Sequence, residues 1–203
     1  MSAVLDFAVR LDWIRKNPMV GVSKGGYRNK ENDRFITMAE YEKLLEACPS
    51  QEWRTIIALA RIGGLRCPSE LQQLRWSDVH LETNRFVVRS PKMERYEEKQ
   101  EREVPLFPDL RVELMKHNQT TEFVIQSLQG TAWRLHEPFQ KIARRSGVGM
   151  IVRPFDNMRM SRSNEVVREF GYPLESEWIG HSQKTMLKHY HQLADDDFAK
   201  AAG

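Results

Sequence analysis

Two arginines and a tyrosine, far apart in the chain, carry side chains suited to work on a phosphodiester. Arg66 stands in Gly63-Gly64-Leu65-Arg66-Cys67-Pro68-Ser69-Glu70, ahead of a helix that the sequence predicts from Pro68. The first N–H groups of a helix lack partners and the dipole is positive there, so anions gather at that end. A guanidinium at that point can grip a phosphate with two parallel hydrogen bonds. Taken alone, an arginine in this setting pairs with Glu70 or with a carbonyl. Arg159 is expected at the opening of a second helix, in Pro154-Phe155-Asp156-Asn157-Met158-Arg159-Met160-Ser161. Together the two would clamp a phosphodiester, whose transition state spreads negative charge over its equatorial oxygens. Tyr190 follows Gly180-His181 by nine residues. A phenol with a pKa of about 10 attacks only when cations stabilise its anion or a base takes its proton. His181, Lys188, His189 and His191 are the nearby candidates for that help.

Positioning these groups falls to elements readable from spacing. Val4, Phe7, Ala8, Leu11 and Ile14 recur as on a helix over residues 3–16, which Asn17-Pro18 should end. Residues 19–33 read as a glycine-rich, charged linker. A chain that opens inside a helix and passes straight to a linker is expected to lack part of a domain upstream of Met1. Thr37 to Glu40 fits a capping box, with Tyr41, Leu44 and Leu45 on one face behind it. An apolar helix is expected over residues 51–62, broken by Gly63-Gly64, and another from Pro68 carrying Leu71 and Leu74. Strands are expected at 86–88 and 104–106 around a long charged turn, with a third at 122–125. Helices follow at 131–146, 157–170, 173–180 and 182–193, two of them ended by Gly147 and Gly171. The predicted class is α+β: mainly helical with a small antiparallel sheet.

Composition narrows the partners. The chain has 203 residues, 40% hydrophobic and 29% charged, with a mean hydropathy of −0.60, which fits a folded domain and rules out disordered and low-complexity classes. Its best apolar run, residues 55–65, is too short for a membrane span and contains Arg61, so no membrane partner is expected. Asp6, Arg10 and Asp12 interrupt the N-terminal apolar stretch, which is therefore no signal peptide. Two cysteines, Cys48 and Cys67, and no metal-ligand spacing point to a reducing, cytoplasmic setting without a metal or other cofactor. Net charge is only +3, yet residues 1–30 hold six Lys/Arg against two acids and residues 134–168 hold eight against three. Such patches suit a polyanion, because each phosphate contact releases counterions. Lys24, Arg28, Arg144, Arg145, Arg153 and Arg162 are the candidate contacts to such a polyanion; Ser161 and Arg162 follow Arg159 closely enough to touch backbone phosphates. Trp53, Trp76, Trp133 and Trp178 read as core, and Met158, Met160 and Met186 as packing.

Order and spacing turn these separate features into a pattern. Gly64-Leu65-Arg66 with Glu70-Leu71, then Leu74-x-Trp76-x-Asp78-Val79, Lys92 after a strand, Arg159, and Gly180-His181 with Tyr190 nine residues on resemble the tyrosine recombinase (phage integrase) catalytic domain. The likeness covers about residues 34–203; residues 1–33 look like the end and linker of the core-binding domain that precedes it in such proteins. By that resemblance Arg66 and Arg159 would hold the scissile phosphate and Tyr190 would attack it, giving a 3′-phosphotyrosyl bond and a free 5′-hydroxyl. Lys92 would protonate the leaving 5′ oxygen, and His181 would hydrogen-bond to the phosphate. One phosphoester replaces another, so no nucleotide, metal or redox cofactor is called for. The implied partners are double-stranded DNA and other copies of the chain, as a tetramer on DNA, in a bacterial or phage nucleoid.

Two positions depart from the family pattern. Asp156 occupies the place three residues before Arg159 where most members have His. A carboxylate about 4 Å from a phosphate is repelled by roughly 4 kcal/mol at an effective dielectric of 20 unless protonated or turned away, and a helix cap is its blander use. The turn of residues 92–103 is long and also holds Lys99, a second candidate for the lysine role. Asp156 keeps open a DNA-binding module of the same fold with impaired catalysis; independently of it, a type IB topoisomerase, with the same chemistry but no partner exchange, is the other alternative.

Overall fold

The computed structural model describes residues 2–21, 32–90, 101–117, 119–130 and 135–181. The chain divides into two compact units, Met1–Lys30 and Glu31–Gly203. Helix α1, Ser2–Arg10, lies in the first. It stops well short of the expected residue 16 because Asp12 takes a left-handed φ of 55°. Asp12 N–H then donates to Val9 O (3.1 Å) and Trp13 N–H to Ala8 O (3.0 Å), the paired bonds that close a helix C-terminus. Aspartate tolerates that conformation better than most residues. Pro18 is therefore not the terminator.

In the second unit the capping box is present. Thr37 accepts from Glu40 N–H, and the Glu40 carboxylate returns to Thr37 N–H (2.9 Å), opening α2, Met38–Glu46. Ser50 caps α3, Gln51–Arg61, whose residues from Thr55 onward are all buried. That helix is the centre of the core, with Leu44, Leu71, Phe86, Leu110, Leu114 and Phe139 in the same cluster. Arg61, fully buried at its end, pairs with Glu165 and donates from Nε to Ile36 O (2.8 Å).

The sheet is a three-stranded antiparallel meander: β1, Val79–His80; β2, Arg85–Arg89; β3, Glu101–Pro105. Phe86 faces Val104 and Val88 faces Arg102. Directly opposed residues share a face of the sheet, so Arg102 points the same way as the buried Phe86, Val88 and Val104. β3 begins before the expected residue 104 because Glu101 and Glu103 lie opposite Arg89 and Val87, and their carboxylates pair with Arg89 and Arg85. The strand expected at 122–125 is not one. That segment makes a single bridge, Phe123 to Arg75, with Val124 N–H donating to Leu74 O (3.0 Å).

The same bridge explains why no α-helix runs from Pro68. The chain makes turns and one 3₁₀ turn at Leu71–Gln73, then goes extended at Leu74 to pair with residues 122–124. Sequence reasoning missed α4, Pro108–Lys116, which starts on a proline, carries Asp109 in its first turn, and buries Leu110 and Leu114 four residues apart. The remaining helices are α5, His136–Arg145; α6, Pro154–Phe170; and α7, Tyr172–Trp178. The expected helix over 182–193 lies outside the described residues. Among the described residues no helix is long and apolar enough to cross a membrane.

Candidate active site

Glu70 is the hub. Its side chain has no exposed surface and sits where the loop after α3, the sheet and α6 converge. Arg66 Nη1 reaches Glu70 Oε1 at 2.5 Å, and Arg66 N–H donates to Oε2 at 2.8 Å. Arg102, from β3, straddles the same carboxylate at 2.7 and 3.0 Å. Arg159 Nη1, from α6, lies 3.5 Å from Oε2. Ser90 Oγ–H adds a bond to Oε1 at 2.6 Å. Burial alone would push this carboxyl up. The hydrogen bonds and charge of Arg102, with the charges of Arg159 and Arg66, outweigh it and hold the group well below the usual carboxylate range. Glu70 is thus an anion around which three guanidiniums are arranged.

Two motif glycines hold the arginines: Gly64, two residues before Arg66, serves Arg159, and Gly180, next to His181, serves Arg66. Arg159 Nη1 donates to Gly64 O and its Nη2 to Ile179 O (2.7 Å), while Arg66 Nη2 donates to Gly180 O (3.3 Å). Gly64 has φ +67°, and a Cβ there would come within 2.5 Å of Ile179 Cδ1, so only glycine lets the two loops close on one another.

His181 completes the cluster. Its Nε2 accepts from Arg159 Nε–H at 3.1 Å and its Nδ1 lies 2.8 Å from Glu175 Oε1. Burial, partly offset by the hydrogen bond to Glu175 and reinforced by the charges of Arg159 and Arg66, pushes its pKa down to about 4. At neutral pH the ring is uncharged.

Arg66, Arg159 and His181, expected to act together, are therefore brought together by the fold. The reason given for Arg66 fails, since no helix N-terminus lies beside it, and pairing with Glu70 and a carbonyl is what the structure contains. Arg159 is likewise not at a helix opening: α6 starts at Pro154, which puts Arg159 beyond the first turn and only 3% exposed. Asp156 is directed elsewhere. More than half exposed, it pairs with Arg153 (2.8 Å), and no side chain caps α6.

Two expected phosphate contacts are buried instead. Ser161 accepts from Ile36 N–H (2.8 Å) and is fully enclosed. Arg162 packs its guanidinium 3.8 Å above the Phe107 ring and pairs with Glu165, with burial lowering its pKa. Arg144 and Arg145 are exposed on α5, the latter bonded to Ala47 O, and Arg153 spans Asp156 and Asp33. Lys24, Arg28, Lys92, Lys99, His189, His191 and Tyr190 lie outside the described residues. Glu70's hub role, Arg102, Ser90 and Glu175 were not found from the sequence; only Glu70 had a signal, its spacing from Arg66. Among the described residues no group of three or more His, Cys, Asp or Glu could hold a metal ion.

Solved structures share this architecture. A XerA recombinase is 19% identical, aligns over 83% of this chain and 63% of its own, and has a TM-score of 0.66. A lambda integrase dimer bound to a COC′ core site is 19% identical over 94% of this chain and 56% of its own, also with a TM-score of 0.66. The integrase of transposon Tn1549, solved with circular intermediate DNA, is 19% identical over 99% of this chain and 75% of its own, with a TM-score of 0.61. The chain thus spans less than two thirds of the first two proteins. No curated protein matches it. The phage integrase family matches residues 34–197, the stretch that contains every element of the arginine–histidine cluster, and the chain belongs to that family.

Proposed function

We propose that this chain is the catalytic domain of a site-specific DNA recombinase that cuts and rejoins duplex DNA through a 3′-phosphotyrosyl intermediate. The observation that carries the reading is the convergence of Arg66 and Arg159 on one carboxylate, Glu70. Two guanidiniums held on a common anion are preorganised to stabilise a second one, the charge that develops on a phosphorane. Arg66, with its side chain 31% exposed, is the one a phosphate meets first. In this reading the Tyr190 phenol gives its proton to a nearby base, for which His189 and His191 are candidates, its oxygen attacks the phosphorus, the bond to the 5′ oxygen breaks, and Lys92, or Lys99 in its stead, gives that oxygen a proton. A second 5′-hydroxyl reverses the step and joins the strand to a new partner.

Arg144, Arg145 and Arg153, with Lys24 and Arg28, would track the duplex backbone, where contacts position without specifying sequence. Residues 1–33 would be the end of a core-binding domain. Assembly would be a tetramer on DNA, in a bacterial or phage nucleoid; a lambda integrase solved as a tetramer on a Holliday junction supports that analogy. A second reading, a DNA-binding module with impaired catalysis, is favoured by Asp156 standing where the family has His. A duplex nicked next to the cleavage point separates the two. A covalent adduct that disappears in Tyr190→Phe supports the recombinase; tight binding with no adduct from the unaltered protein supports the module.

A further inference from the structure

Arg102, from β3, is the third guanidinium at the Glu70 hub, and its side chain is only 10% exposed. An arginine carries five N–H donors in a rigid fork. Those of Arg102 are spent inside the protein. Nη1 donates to Glu70 Oε1 (3.0 Å) and to Ser90 Oγ (3.0 Å), Nη2 to Glu70 Oε2 (2.7 Å), and Nε to the carbonyl of Trp178 (2.9 Å), the last residue of α7. Its stem runs against Gly180, where a Cβ would lie 3.4 Å from Arg102 Cδ. A guanidinium so enclosed and so committed is not a DNA contact; it acts through the carboxylate it holds.

An ionised carboxyl offers about four acceptor positions, and those of Glu70 are filled. Oε1 takes Ser90 Oγ–H and one N–H each from Arg66 and Arg102; Oε2 takes the Arg66 backbone N–H and the second arm of Arg102. The Arg66 side chain is therefore held on Glu70 by Nη1 alone, with Nη2 on Gly180 O at 3.3 Å. Among the described residues its Nε–H meets no acceptor, and the side chain is 31% exposed. The Nε–Nη2 edge is the face of a guanidinium that meets two phosphate oxygens at once. Without the fork of Arg102, each Glu70 oxygen would have a position open. Arg66, four residues away, would then turn its own fork onto the carboxylate and spend that edge. We propose that Arg102 is a positioning residue for strand cleavage: by occupying both oxygens of Glu70 it leaves the Nε–Nη2 edge of Arg66 for the phosphate, and it ties that carboxylate to the end of α7, from which His181 follows.

Its effect on rate rests on the recombinase reading, whereas the state of Arg66 does not, so two measurements test it. The variant is Arg102→Lys, which keeps the charge but cannot straddle both oxygens and reach Trp178 as well. The first measurement follows the arginine Nε–H signals of the full chain, without DNA, as inorganic phosphate is added. In the unaltered protein the Arg66 signal should shift while that of Arg102, bonded to Trp178 O, stays. In Arg102→Lys the Arg66 signal should need at least about tenfold more phosphate, the worth of one charge-assisted hydrogen bond, with the Arg159 signal in its usual place. An Arg66 signal that ignores phosphate in the unaltered protein, or an Arg102 signal that moves as far, overturns the proposal whether or not the variant folds. So does an equal response in both proteins, which would leave Arg102 only its charge. The second measurement is adduct formation at saturating nicked duplex. Arg102→Lys should slow it by roughly 10–100-fold, since displacing a contact by about 1 Å can cost that much, with duplex affinity nearly constant. Equal rates overturn the proposal and leave the recombinase reading intact; a slower rate with an Arg66 signal that still follows phosphate is a structural effect and overturns it too. If the unaltered protein forms no adduct, the recombinase reading alone falls, and the phosphate titration decides the role of Arg102.

Discussion

Replacing His181 with Gln should remove one specific step from the acid unfolding of this protein. In the unfolded chain a histidine titrates near 6.5. In the folded one, burial between α6 and α7 and the facing charges of Arg159 and Arg66 hold His181 down to about 4, despite the opposing pull of Glu175. The unfolded state therefore binds a proton between these values that the folded state refuses, and stability falls as pH falls through that window. The contribution is whole above pH 6.5 and is lost completely below about 4. The full span corresponds to about 3 kcal/mol, most of which should be gone by pH 4.5.

Urea unfolding of the unaltered protein and of His181→Gln, at intervals from pH 7.5 to 4.5, isolates this step. The variant loses hydrogen bonds at every pH, so only the change in the difference between the two curves matters. Glu113, whose carboxyl is held down to about 2 by Arg54 and Gln51 against the upward push of burial, loses its contribution only below about 4.5, and in both proteins alike. The gap between the two proteins should shrink steadily with acidification. A gap constant within about 0.5 kcal/mol across the range would mean that His181 does not stay neutral in the folded state, and the acceptor role toward Arg159 would fall with it.

Three further outcomes follow from the same geometry. Glu70→Gln strips the shared counter-charge from Arg66, Arg102 and Arg159 and should lower stability in urea by about 3–5 kcal/mol, the usual loss when one partner of a buried ion pair is removed; a loss under 1 kcal/mol would show that the carboxylate is not their anchor. Gly64→Ala should lower the thermal midpoint well beyond Gly147→Ala. Both glycines have positive φ, but only Gly64 would drive its new Cβ to within 2.5 Å of a neighbour, whereas Gly147 has nothing within 4 Å. Equal losses would remove the argument for close approach. Asp156→His should raise cleavage of the nicked duplex with little change in stability, because the exposed pair it breaks with Arg153 is worth less than about 1 kcal/mol; slower cleavage would give Asp156 a positive role.

The residues legible in the sequence were those whose meaning is local or set by motif spacing: the Thr37 capping box, the glycine stop at Gly171, the strands around Phe86 and Val104, and the pairing of Arg66 with Arg159 and His181. Partners supplied by another element were not legible. Arg102 reads as one more charge in a charged hairpin, and only its register opposite Val88 turns it inward to Glu70. Glu175, in a short helix, carries no signal of its own, and its partners come together only when α7 is laid against α6 and Ser163. The expected helix from Pro68 failed because Leu74 gains more by bonding Val124 than by extending one short turn.

The deepest misreading concerns α6, and its cause is physical. Met158 and Met160 pack as expected, but Ser161 and Arg162, expected to touch backbone phosphates, are enclosed with the rest of the run Asn157-Met158-Arg159-Met160-Ser161-Arg162-Ser163-Asn164, every residue of which is buried. A helix with that composition is tolerated in an interior when most of its polar groups find partners, and here Arg162 Nε and Asn164 Nδ2 are the buried exceptions among the described residues. Asn157 ties down the backbone of Asn32 and Arg34, Ser161 takes Ile36 N–H, Ser163 reaches Glu175, and Arg162 lies against Phe107 and Glu165. These bonds fix α6 against its neighbours in rotation as well as in depth, which packing of apolar side chains does less sharply. An arginine that must present a fixed face to an anion needs that rotational constraint. The polar character of α6 therefore sets where Arg159 leaves the helix, and His181, Gly64 O and Ile179 O then hold its guanidinium; Leu or Val at Ser161 would both strand Ile36 N–H and crowd a fully buried site.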